Sequence, residues 1–495
     1  MIMLESYLKK YFNYEHFRTG QKEVITSVLE GHHTLAMLPT GTGKSLCYQL
    51  SGYILKGHVL IVSPLLSLMQ DQVEQMKMNG EKSVVAINSF LSGVERRSVL
   101  SNIRQYKFIF VSPETLATEK MINVLKKLNI SLFVIDEAHC ISQWGYDFRP
   151  DYIKLGDVRK SLNHPLTLAL TATATKAVRN DIIKSLKLEE CQQIIFSVDR
   201  PNIAISVVQM KGYQDKWEKL WQMVSNLAGP GIIYFSSKKV AEQAASFLNQ
   251  KGIERVAAYH GGMDQESRVL IQQQFLLNQL DIICATSAFG MGVNKENIRF
   301  VIHYHMPQNV ESYLQEIGRA GRDGLMSIAI LFYAPLDEQL ANRLADLEVP
   351  SSEQLDWLVQ SIQESEVQWI QQPEVLQQMG GFTDTSWRMI SEILINQTGS
   401  NSNLISNLIN YKKTVEKRQE MKKNKIAFMT NWILSKECRR KPILQYFNED
   451  IDEVCHEFCC DRCGIEMSYF HHRRQVEKND VEFSWKQRLS DILLS

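Results

Sequence analysis

A glycine-rich segment near the N-terminus, LPTGTGKS at residues 38–45, has the residue types of a phosphate-binding loop. It lies between the apolar run HTLAML and the helical pattern LCYQLSGYIL, the strand–loop–helix order that such a loop requires. Backbone N–H groups of the loop and of the following helix can hold phosphate oxygens, because the helix dipole favours anions there. Lys44 would reach the β- and γ-phosphates, and the Ser45 hydroxyl would ligate Mg²⁺. The candidate nucleotide-binding residues here are Thr40, Gly41, Thr42, Gly43, Lys44 and Ser45.

An acidic pair, Asp136 and Glu137, closes the apolar strand pattern SLFVID. An aspartate at a strand end can hold Mg²⁺, and a neighbouring glutamate can orient and deprotonate an attacking water. Such a pair is common at ordinary strand ends. Together with a phosphate loop upstream, it predicts hydrolysis of a nucleoside triphosphate.

Two arginines in QEIGRAGRDG (315–324), Arg319 and Arg322, complete the set of catalytic candidates. Their spacing of three predicts that they share one helical face, and cations are needed where charge develops on a γ-phosphate. The flanking glycines would let two backbones approach closely at a domain interface. The nucleotide would then lie in a cleft between two domains, and hydrolysis would change the angle between them.

The order of apolar runs predicts how these residues are positioned. Up to about residue 335, short strand-like runs alternate with helix-length segments, in two sets that join near residues 197–208. This alternation predicts an α/β protein with two doubly wound parallel sheets. After about residue 340 the pattern becomes helical, with one long helix expected over residues 404–436. Its basic run YKKTVEKRQEMKKNK is either a solvated helix face or a phosphate-contacting one.

Composition restricts the class of protein. A chain of 495 residues with 44% hydrophobic residues predicts two to four domains. Lys+Arg and Asp+Glu both number 55, so only a local groove could be basic enough for a polyanion. No apolar run reaches the 18 or so residues of a membrane span, and the N-terminus lacks the order of a signal peptide. We therefore expect a soluble, cytoplasmic protein with no membrane partner.

Five of the nine cysteines cluster at residues 438–463, which in a reducing compartment favours a metal site over disulfides. Zn²⁺ prefers four N or S ligands, commonly with one C-x₂-C pair. Cys460 and Cys463 supply that pair, and Cys438 and Cys455 would complete a structural four-thiolate site. Cys459 competes with Cys460, and His456 is a weaker competitor.

The series of motifs over residues 11–335, together with the cysteine cluster, resembles the RecQ family of superfamily 2 DNA helicases. The collinear motifs are YFNYEHFRTGQ, PTGTGKS, SPLLSLMQDQ, DEAH, TATAT, YHGGM, ATSAFGMGVNK and GRAGRDG. The resemblance implies two RecA-like lobes, ATP with Mg²⁺, and a zinc-binding module. It also implies that Tyr14 stacks on adenine, with Arg18 nearby and Gln21 on the adenine edge.

The stretch HCISQWGYDFRPDY, directly after the acidic pair, matches the aromatic-rich loop of RecQ-like enzymes. The match places Trp144, Phe148 and Arg149 where the family contacts single-stranded DNA, with a path through His139 and Gln143 to the ATP site. Stacking of a base on an aromatic ring contributes roughly 1–3 kcal/mol and tolerates any sequence. Tyr152, at the start of a helical pattern, is expected to pack instead.

The resemblance gives the following division of the chain. We expect lobe 1 at residues 1–205, lobe 2 at 206–340, a helical insertion at 341–410, the zinc module at 411–470 and a tail at 471–495. Residues 371–397 fit a helix-turn-helix or any other pair of packed helices. The short tail predicts a form without the winged-helix and HRDC domains of longer members.

The function expected from the resemblance is a 3′→5′ ATP-dependent DNA helicase in repair or recombination. Its partners would be single-stranded and duplex DNA, with a single-strand-binding protein among possible replication and repair partners. We expect a monomer located at the nucleoid. Two alternatives remain open from sequence: an RNA helicase or remodeller, and a non-enzymatic, zinc-stapled DNA-binding scaffold.

Overall fold

Two parallel β-sheets follow one another along the chain in a computed structural model. It describes residues 4–88, 91–142, 149–290, 295–364, 373–395, 401–449 and 458–471. The predicted tail lies almost entirely outside these ranges. Within them, no helix is both long and apolar enough to cross a membrane.

The first sheet has seven strands, and the apolar runs predicted as strands form most of it. Its strands are β1 (Thr34–Met37), β2 (His58–Val62), β3 (Val84–Ile87), β4 (Phe108–Val111), β5 (Ile130–Ile135), β6 (Thr167–Thr171) and β7 (Gln192–Ile195). Their order in the sheet is β3-β4-β2-β5-β6-β1-β7, and every pair is parallel. The helices of this lobe are α1 (Leu4–Phe12), α2 (Gln21–Leu29), α3 (Lys44–Ile54), α4 (Leu66–Met78), α5 (Gly93–Ser101), α6 (Pro113–Leu116), α7 (Glu119–Leu125), α8 (Pro150–Ile153), α9 (Leu155–Ser161) and α10 (Lys176–Ser185).

The second sheet has six strands and is also fully parallel. Its strands are β8 (Ile203–Gln209), β9 (Gly231–Tyr234), β10 (Val256–Tyr259), β11 (Ile282–Ala285), β12 (Phe300–His303) and β13 (Ser327–Tyr333), in the order β10-β11-β9-β12-β13-β8. Its helices are α11 (Asp215–Asn226), α12 (Lys238–Gln250), α13 (Gln265–Leu276) and α14 (Val310–Ile317). The predicted limit at 205/206 falls inside β8, which belongs to this sheet.

Central strands such as β1 are buried on both faces, which is why they read as continuous apolar runs. Leu35 and Met37 of β1 contribute to one hydrophobic cluster, while Ala36 and Leu38, the residue after the strand, contribute to another. The first of these clusters continues into the second lobe and the C-terminal region. The lobes therefore share packing across their junction.

A helical region follows the second sheet. It consists of α15 (Asp337–Leu347), α16 (Ser352–Glu364), α17 (Pro373–Met379), α18 (Asp384–Ile395), α19 (Asn401–Leu434) and α20 (Arg440–Tyr446). The long helix expected over 404–436 is confirmed as α19, which also runs through the predicted limit at 410/411. The N-terminal half of α19 packs with α16 and α18 around a separate apolar cluster that includes Leu358 and Ile390. Its C-terminal half joins the large cluster shared with the lobes.

Candidate active site

The phosphate-loop candidate connects β1 to α3, as the sequence order predicts. Gly41 has φ 93° and Gly43 has φ 74°, backbone angles that favour glycine. Thr42 closes the turn internally, because its hydroxyl donates to the carbonyl oxygen of Pro39 at 2.8 Å. Lys44 and Ser45 then begin α3, so both side chains follow directly from the tight loop.

The residues expected to read adenine lie against this loop. The side-chain amide of Gln21 donates to the carbonyl oxygens of Thr42 at 2.6 Å and Gly43 at 3.1 Å. Arg18 donates to the carbonyl oxygen of Gly41 at 3.0 Å. Tyr14 is 55% exposed at the mouth of the cleft, where its ring is accessible to a base. The stacking and edge-reading roles remain predictions.

Asp136 and Glu137 lie at the carboxyl end of β5, beside the loop that follows β1. Burial and the adjacent Glu137 raise the pKa of Asp136 to about 7, although Lys44 acts in the opposite direction. Two carboxyl groups with one lysine nearby form a site short of positive charge. Because Mg²⁺ prefers carboxylate and hydroxyl oxygens, Asp136 and Ser45 fit such an ion.

Glu137 is held in an unusual conformation. Its φ of 48° lies in the left-handed region, which costs a non-glycine residue about 1–2 kcal/mol. Its Oε2 atom is buried and accepts no hydrogen bond from the described part of the chain. This oxygen lies 3.4 Å from Nδ1 of His139, and Glu137 also lines the cleft. A strained residue in that position suits a group that orients water.

The second lobe contributes the arginines from a turn, so the prediction that they share a helical face is wrong. Helix α14 ends at Ile317, and the chain then turns through Gly318 and Gly321, the latter with φ 55°. Glycine is a poor helix former and accepts the left-handed angle that the turn requires. Arg319 is buried and donates to the carbonyl oxygen of Gly290.

The glycines around the arginines permit a close contact between the lobes, as predicted. A Cβ atom on Gly318 would lie 2.7 Å from the Cβ of Thr40 in the phosphate loop. A Cβ on Gly41 would lie 2.8 Å from the Cγ of Arg322. Both distances are shorter than side-chain atoms tolerate, so each glycine is needed sterically where it stands.

These elements enclose one cavity of about 490 Å³, a volume typical of small-molecule sites. Its walls include every nucleotide-binding and catalytic candidate except Thr42, whose carbonyl faces Gln21. The candidates on its walls are Tyr14, Arg18, Gln21, Thr40, Gly41, Gly43, Lys44, Ser45, Asp136, Glu137, Arg319 and Arg322. The cleft is therefore built from both lobes.

The cavity is acidic on one side and basic on the other. Burial and the neighbouring guanidinium groups of Arg319 and Arg200 lower the pKa of Arg322 to about 9. That value remains above neutral pH, so Arg322 keeps its positive charge. Two adjacent cations on this wall, Arg319 and Arg322, suit a polyanionic ligand.

The coupling candidates are described only in part. His139 is buried, with its Nδ1 atom 3.0 Å from the hydroxyl of Thr171 and 3.4 Å from Oε2 of Glu137. It thus connects the acidic pair to the TATAT segment. Arg149 donates to the carbonyl oxygen of Pro64 at 2.5 Å. Gln143, Trp144 and Phe148 lie outside the described residues.

Tyr152 is fully buried, and its hydroxyl donates to the carbonyl oxygen of Asp136 at 3.2 Å. The prediction that this ring packs is confirmed. The contact also ties the start of α8 to the acidic pair.

Four cysteines of the C-terminal region converge: Cys438, Cys459, Cys460 and Cys463. Their sulfur atoms all lie within 4.8 Å of one another, with Cys460 at 3.9 Å from Cys438 and 3.5 Å from Cys463. Tetrahedral Zn²⁺ with bonds of about 2.3 Å separates its sulfurs by about 3.8 Å, so the thiols fit this ion. Cys455 and His456 lie outside the described residues, and the choice between Cys459 and Cys460 stays a prediction.

Contacts around Cys460 favour its thiolate, the form that binds a metal. A hydrogen bond from Cys459 and the backbone N–H of Arg439 lower the pKa of Cys460. The guanidinium of Arg439 pairs with Asp461 through two contacts of 2.9 Å. It also donates to carbonyl oxygens at the end of α19, including that of Trp432 at 2.7 Å.

Two further residues of the cleft were not predicted from sequence. Arg200, in the linker between the sheets, donates to the carbonyl oxygen of Thr40 at 2.6 Å. Glu296 of the second lobe forms an ion pair with Arg18 at 2.7 Å. Neither residue belongs to a sequence motif with a recognised chemical role, so only its charge could have indicated a place in the cleft.

Three family models match the chain in the order of these regions. They are the DEAD/DEAH box helicase model at residues 18–181, the helicase conserved C-terminal domain at 215–324 and the RecQ zinc-binding model at 400–464. The two helicase models carry the two halves of the cleft. The zinc-binding model includes all five clustered cysteines.

Full-length relatives are similar over much of the chain. The chain is 43% identical over 493 residues to the probable ATP-dependent DNA helicase RecS of Bacillus subtilis, covering 99% of this chain and 98% of that protein. It is 42% identical over 346 residues to the ATP-dependent DNA helicase RecQ of Pasteurella multocida, covering 69% of this chain. That match spans about half of the Pasteurella protein, 54% of its length.

The fold also matches solved helicase structures. The Mycobacterium smegmatis helicase Lhr, bound to single-stranded DNA and AMP-PNP, superposes with a TM-score of 0.56 at 19% identity. The match covers 80% of this chain and 57% of that one. At this identity the likeness supports the two-lobed fold alone.

Proposed function

The chain belongs to the RecQ family of ATP-dependent DNA helicases, and we propose that it hydrolyses ATP in the cleft between its lobes to move along single-stranded DNA. One observation carries the proposal. A single cavity is lined by the phosphate loop and acidic pair of one lobe and by the two arginines of the other. Such a site is complete only when the lobes are together.

In the first lobe, Lys44 would contact the β- and γ-phosphates from the start of α3. Ser45 and Asp136 would hold Mg²⁺, which would neutralise phosphate charge when bound. Glu137 would accept the proton of the attacking water through its carboxylate, because this residue lines the cleft. The loop N–H groups and the N-terminus of α3 would stabilise the anionic phosphates.

In the second lobe, Arg319 and Arg322 would stabilise charge on the γ-phosphate during transfer. The contacts of Gly318 with Thr40 and of Arg322 with Gly41 place their turn against the phosphate loop. After hydrolysis the attraction between these arginines and the γ-phosphate would weaken, and the lobes could separate. Opening and closing of the cleft would then alter the grip on DNA.

The base and the DNA would be recognised at the edges of the cleft. Tyr14 would stack on adenine, with Arg18 beside it and Gln21 on the base edge. Trp144, Phe148 and Arg149 would contact single-stranded DNA. His139, which lies between Glu137 and Thr171, would carry that signal to the acidic pair, together with Gln143.

The remaining assignments rest on family resemblance. We infer 3′→5′ polarity, a role in DNA repair or recombination, a location at the nucleoid and action as a monomer. A single-strand-binding protein is a candidate partner. Residues 341–410 and 411–470 would act as a helical insertion and a zinc module, the latter with a structural ion.

The test is a set of ATPase and strand-separation assays on forked, 3′-tailed and 5′-tailed DNA, with single-stranded RNA as comparison. We expect DNA-stimulated hydrolysis, and separation of the forked and 3′-tailed substrates. Lys44→Ala serves as the inactive control. Hydrolysis no faster than in this variant would refute the enzymatic function, and stimulation by RNA alone would favour a remodeller.

A further inference from the structure

The linker between the two sheets is held by the C-terminal region. Glu449, after α20, accepts hydrogen bonds from the hydroxyl of Ser197 at 2.5 Å and from the N–H of Val198 at 2.9 Å. The next linker residue, Asp199, forms an ion pair with the buried Arg440 of α20. These contacts span most of the short connection between β7 and β8.

Arg440 also binds the linker backbone. It donates to the carbonyl oxygens of Arg200 at 3.2 Å and Ile203 at 2.5 Å. Its guanidinium is buried, so these contacts are shielded from water. The position of residue 200 is therefore set from the C-terminal side.

The side chain of Arg200 points the other way, into the junction of the lobes. One terminal nitrogen donates to the carbonyl oxygens of Thr40 at 2.6 Å and Gly318 at 3.2 Å. The other donates to those of Ala320 at 3.2 Å and Gly321 at 2.7 Å. One planar group thus joins the phosphate loop to the turn that carries the catalytic arginines.

The physical effect of this contact follows from where those carbonyls lie. Three of them, those of Gly318, Ala320 and Gly321, belong to the turn directly after α14, where a helix end concentrates negative partial charge. A cation there satisfies acceptors that would otherwise attract the guanidinium groups of Arg319 and Arg322. With Arg200 holding this turn, Arg319 and Arg322 both line the cavity, and Arg319 is also held by its hydrogen bond to the carbonyl oxygen of Gly290.

We propose that Arg200 is a positioning residue for ATP hydrolysis, fixing the turn of Arg319 and Arg322 against the phosphate loop. The C-terminal region, through Arg440 and Glu449, sets where the linker holds Arg200. The proposal rests on the proposed function, because it assigns no new chemistry to the cleft. It makes the C-terminal region a determinant of the hydrolysis rate.

The experiment compares Arg200→Ala, Arg200→Lys and Glu449→Ala with the parent chain. For each we would measure DNA-stimulated kcat, the Kd of a fluorescent ATP analogue, the thermal midpoint and the zinc content. Misplacing a catalytic group by about 1 Å can cost about 100-fold. We expect kcat of Arg200→Ala to fall by about 30- to 100-fold. The substitution would displace Arg319 and Arg322 but would leave their charges in place.

Nucleotide affinity should behave differently, because Arg200 contacts protein carbonyls only. We expect the analogue Kd to change by less than about threefold, the pattern of an interaction needed in the transition state. Arg200→Lys should recover part of the rate, since an ammonium can reach some of the carbonyls. Glu449→Ala should lower kcat by about three- to tenfold, as it loosens the linker indirectly.

Tyr446→Phe is the matched control. Tyr446 lies in α20, and its hydroxyl docks the same C-terminal region on Glu311, at the opposite end of α14. Its hydroxyl is bonded to Glu311 and not to the linker, so kcat of Tyr446→Phe should equal that of the parent chain. Equal slowing in Glu449→Ala and Tyr446→Phe would overturn the role of the C-terminal region.

Two results would overturn the role of Arg200 itself: an unchanged kcat in Arg200→Ala, or a Kd increase as large as the kcat loss. If Arg200→Ala does not fold, the proposal is tested by kcat of Arg200→Lys and Glu449→Ala. Values equal to that of the parent chain in both variants would reject it. A parent chain as slow as Lys44→Ala would instead refute the proposed function.

Discussion

The two lobes have the same architecture but supply opposite chemistry to one cleft. Both are parallel sheets flanked by helices. The first lobe presents a glycine loop and buried carboxyl groups at the carboxyl ends of β1 and β5, where ligands of such sheets usually bind. The second presents arginines from a turn beyond α14, which would interact with a ligand held by its neighbour.

This difference separates holding the nucleotide from hydrolysing it. Groups in the first lobe would bind the nucleotide whether or not the cleft is closed. Arginines of the second lobe would act only in the closed arrangement, which the close approach of Gly318 to Thr40 defines. Mutations in the two lobes should therefore have different kinetic signatures.

The largest effect is expected for Glu137→Gln in the first lobe. Loss of the general base should lower kcat by about 10³-fold, while the nucleotide remains bound through the intact loop. Single-turnover hydrolysis and analogue binding would measure the two quantities. Residual hydrolysis near the parent rate would show that another group activates the water.

Arg319→Ala and Arg322→Ala test the second lobe. Each should lower kcat by about 10²-fold, with little change in analogue affinity, because the lost interaction forms in the transition state. Steady-state assays and analogue binding, with the parent chain in parallel, would show whether kcat falls while affinity is kept. If affinity falls as much as kcat, the division between the lobes is wrong.

A smaller effect is expected for Trp144→Ala, which tests the coupling of DNA to the first lobe. Loss of one stacked base, worth roughly 1–3 kcal/mol, should reduce DNA stimulation of the ATPase by about tenfold or more. The rate without DNA should stay the same. Tyr146→Ala is a nearby aromatic control, and equal losses in both would point to a folding role for the segment.

The smallest effect is expected for Glu296→Gln, which removes the ion pair to Arg18 across the mouth of the cleft. Both side chains are about half exposed, so the pair contributes at most about 1 kcal/mol. We expect KM for ATP to change by about twofold at low salt, and the difference to vanish at high salt. If the difference in KM persists in high salt, the effect of the substitution does not come from the ion pair between Arg18 and Glu296.

The sequence was informative where chemistry is local. The phosphate loop, the acidic pair and the strand that precedes each are contiguous, so their residue types alone indicated the site. Tyr152 and the long helix α19 were likewise predictable, because apolar spacing reports burial.

Prediction failed where the outcome depends on distant parts of the chain. Arg319 and Arg322 have helical spacing, yet Gly318 ends the helix before them. Arg200 lies in a linker, and its partners are carbonyl oxygens more than a hundred residues away in each direction. Carbonyl partners carry no side-chain signature, so no sequence pattern could have revealed that contact.

Helix α19 has a mechanical consequence. Its 34 residues give it a length of about 51 Å. One half is embedded in the cluster shared with both lobes, and the other half forms a separate core with α16 and α18. A tilt of about 10° at the embedded end would displace the far end by about 9 Å, given this length. A tilt of this size would therefore be large enough to be followed by distance labels placed on that separate core.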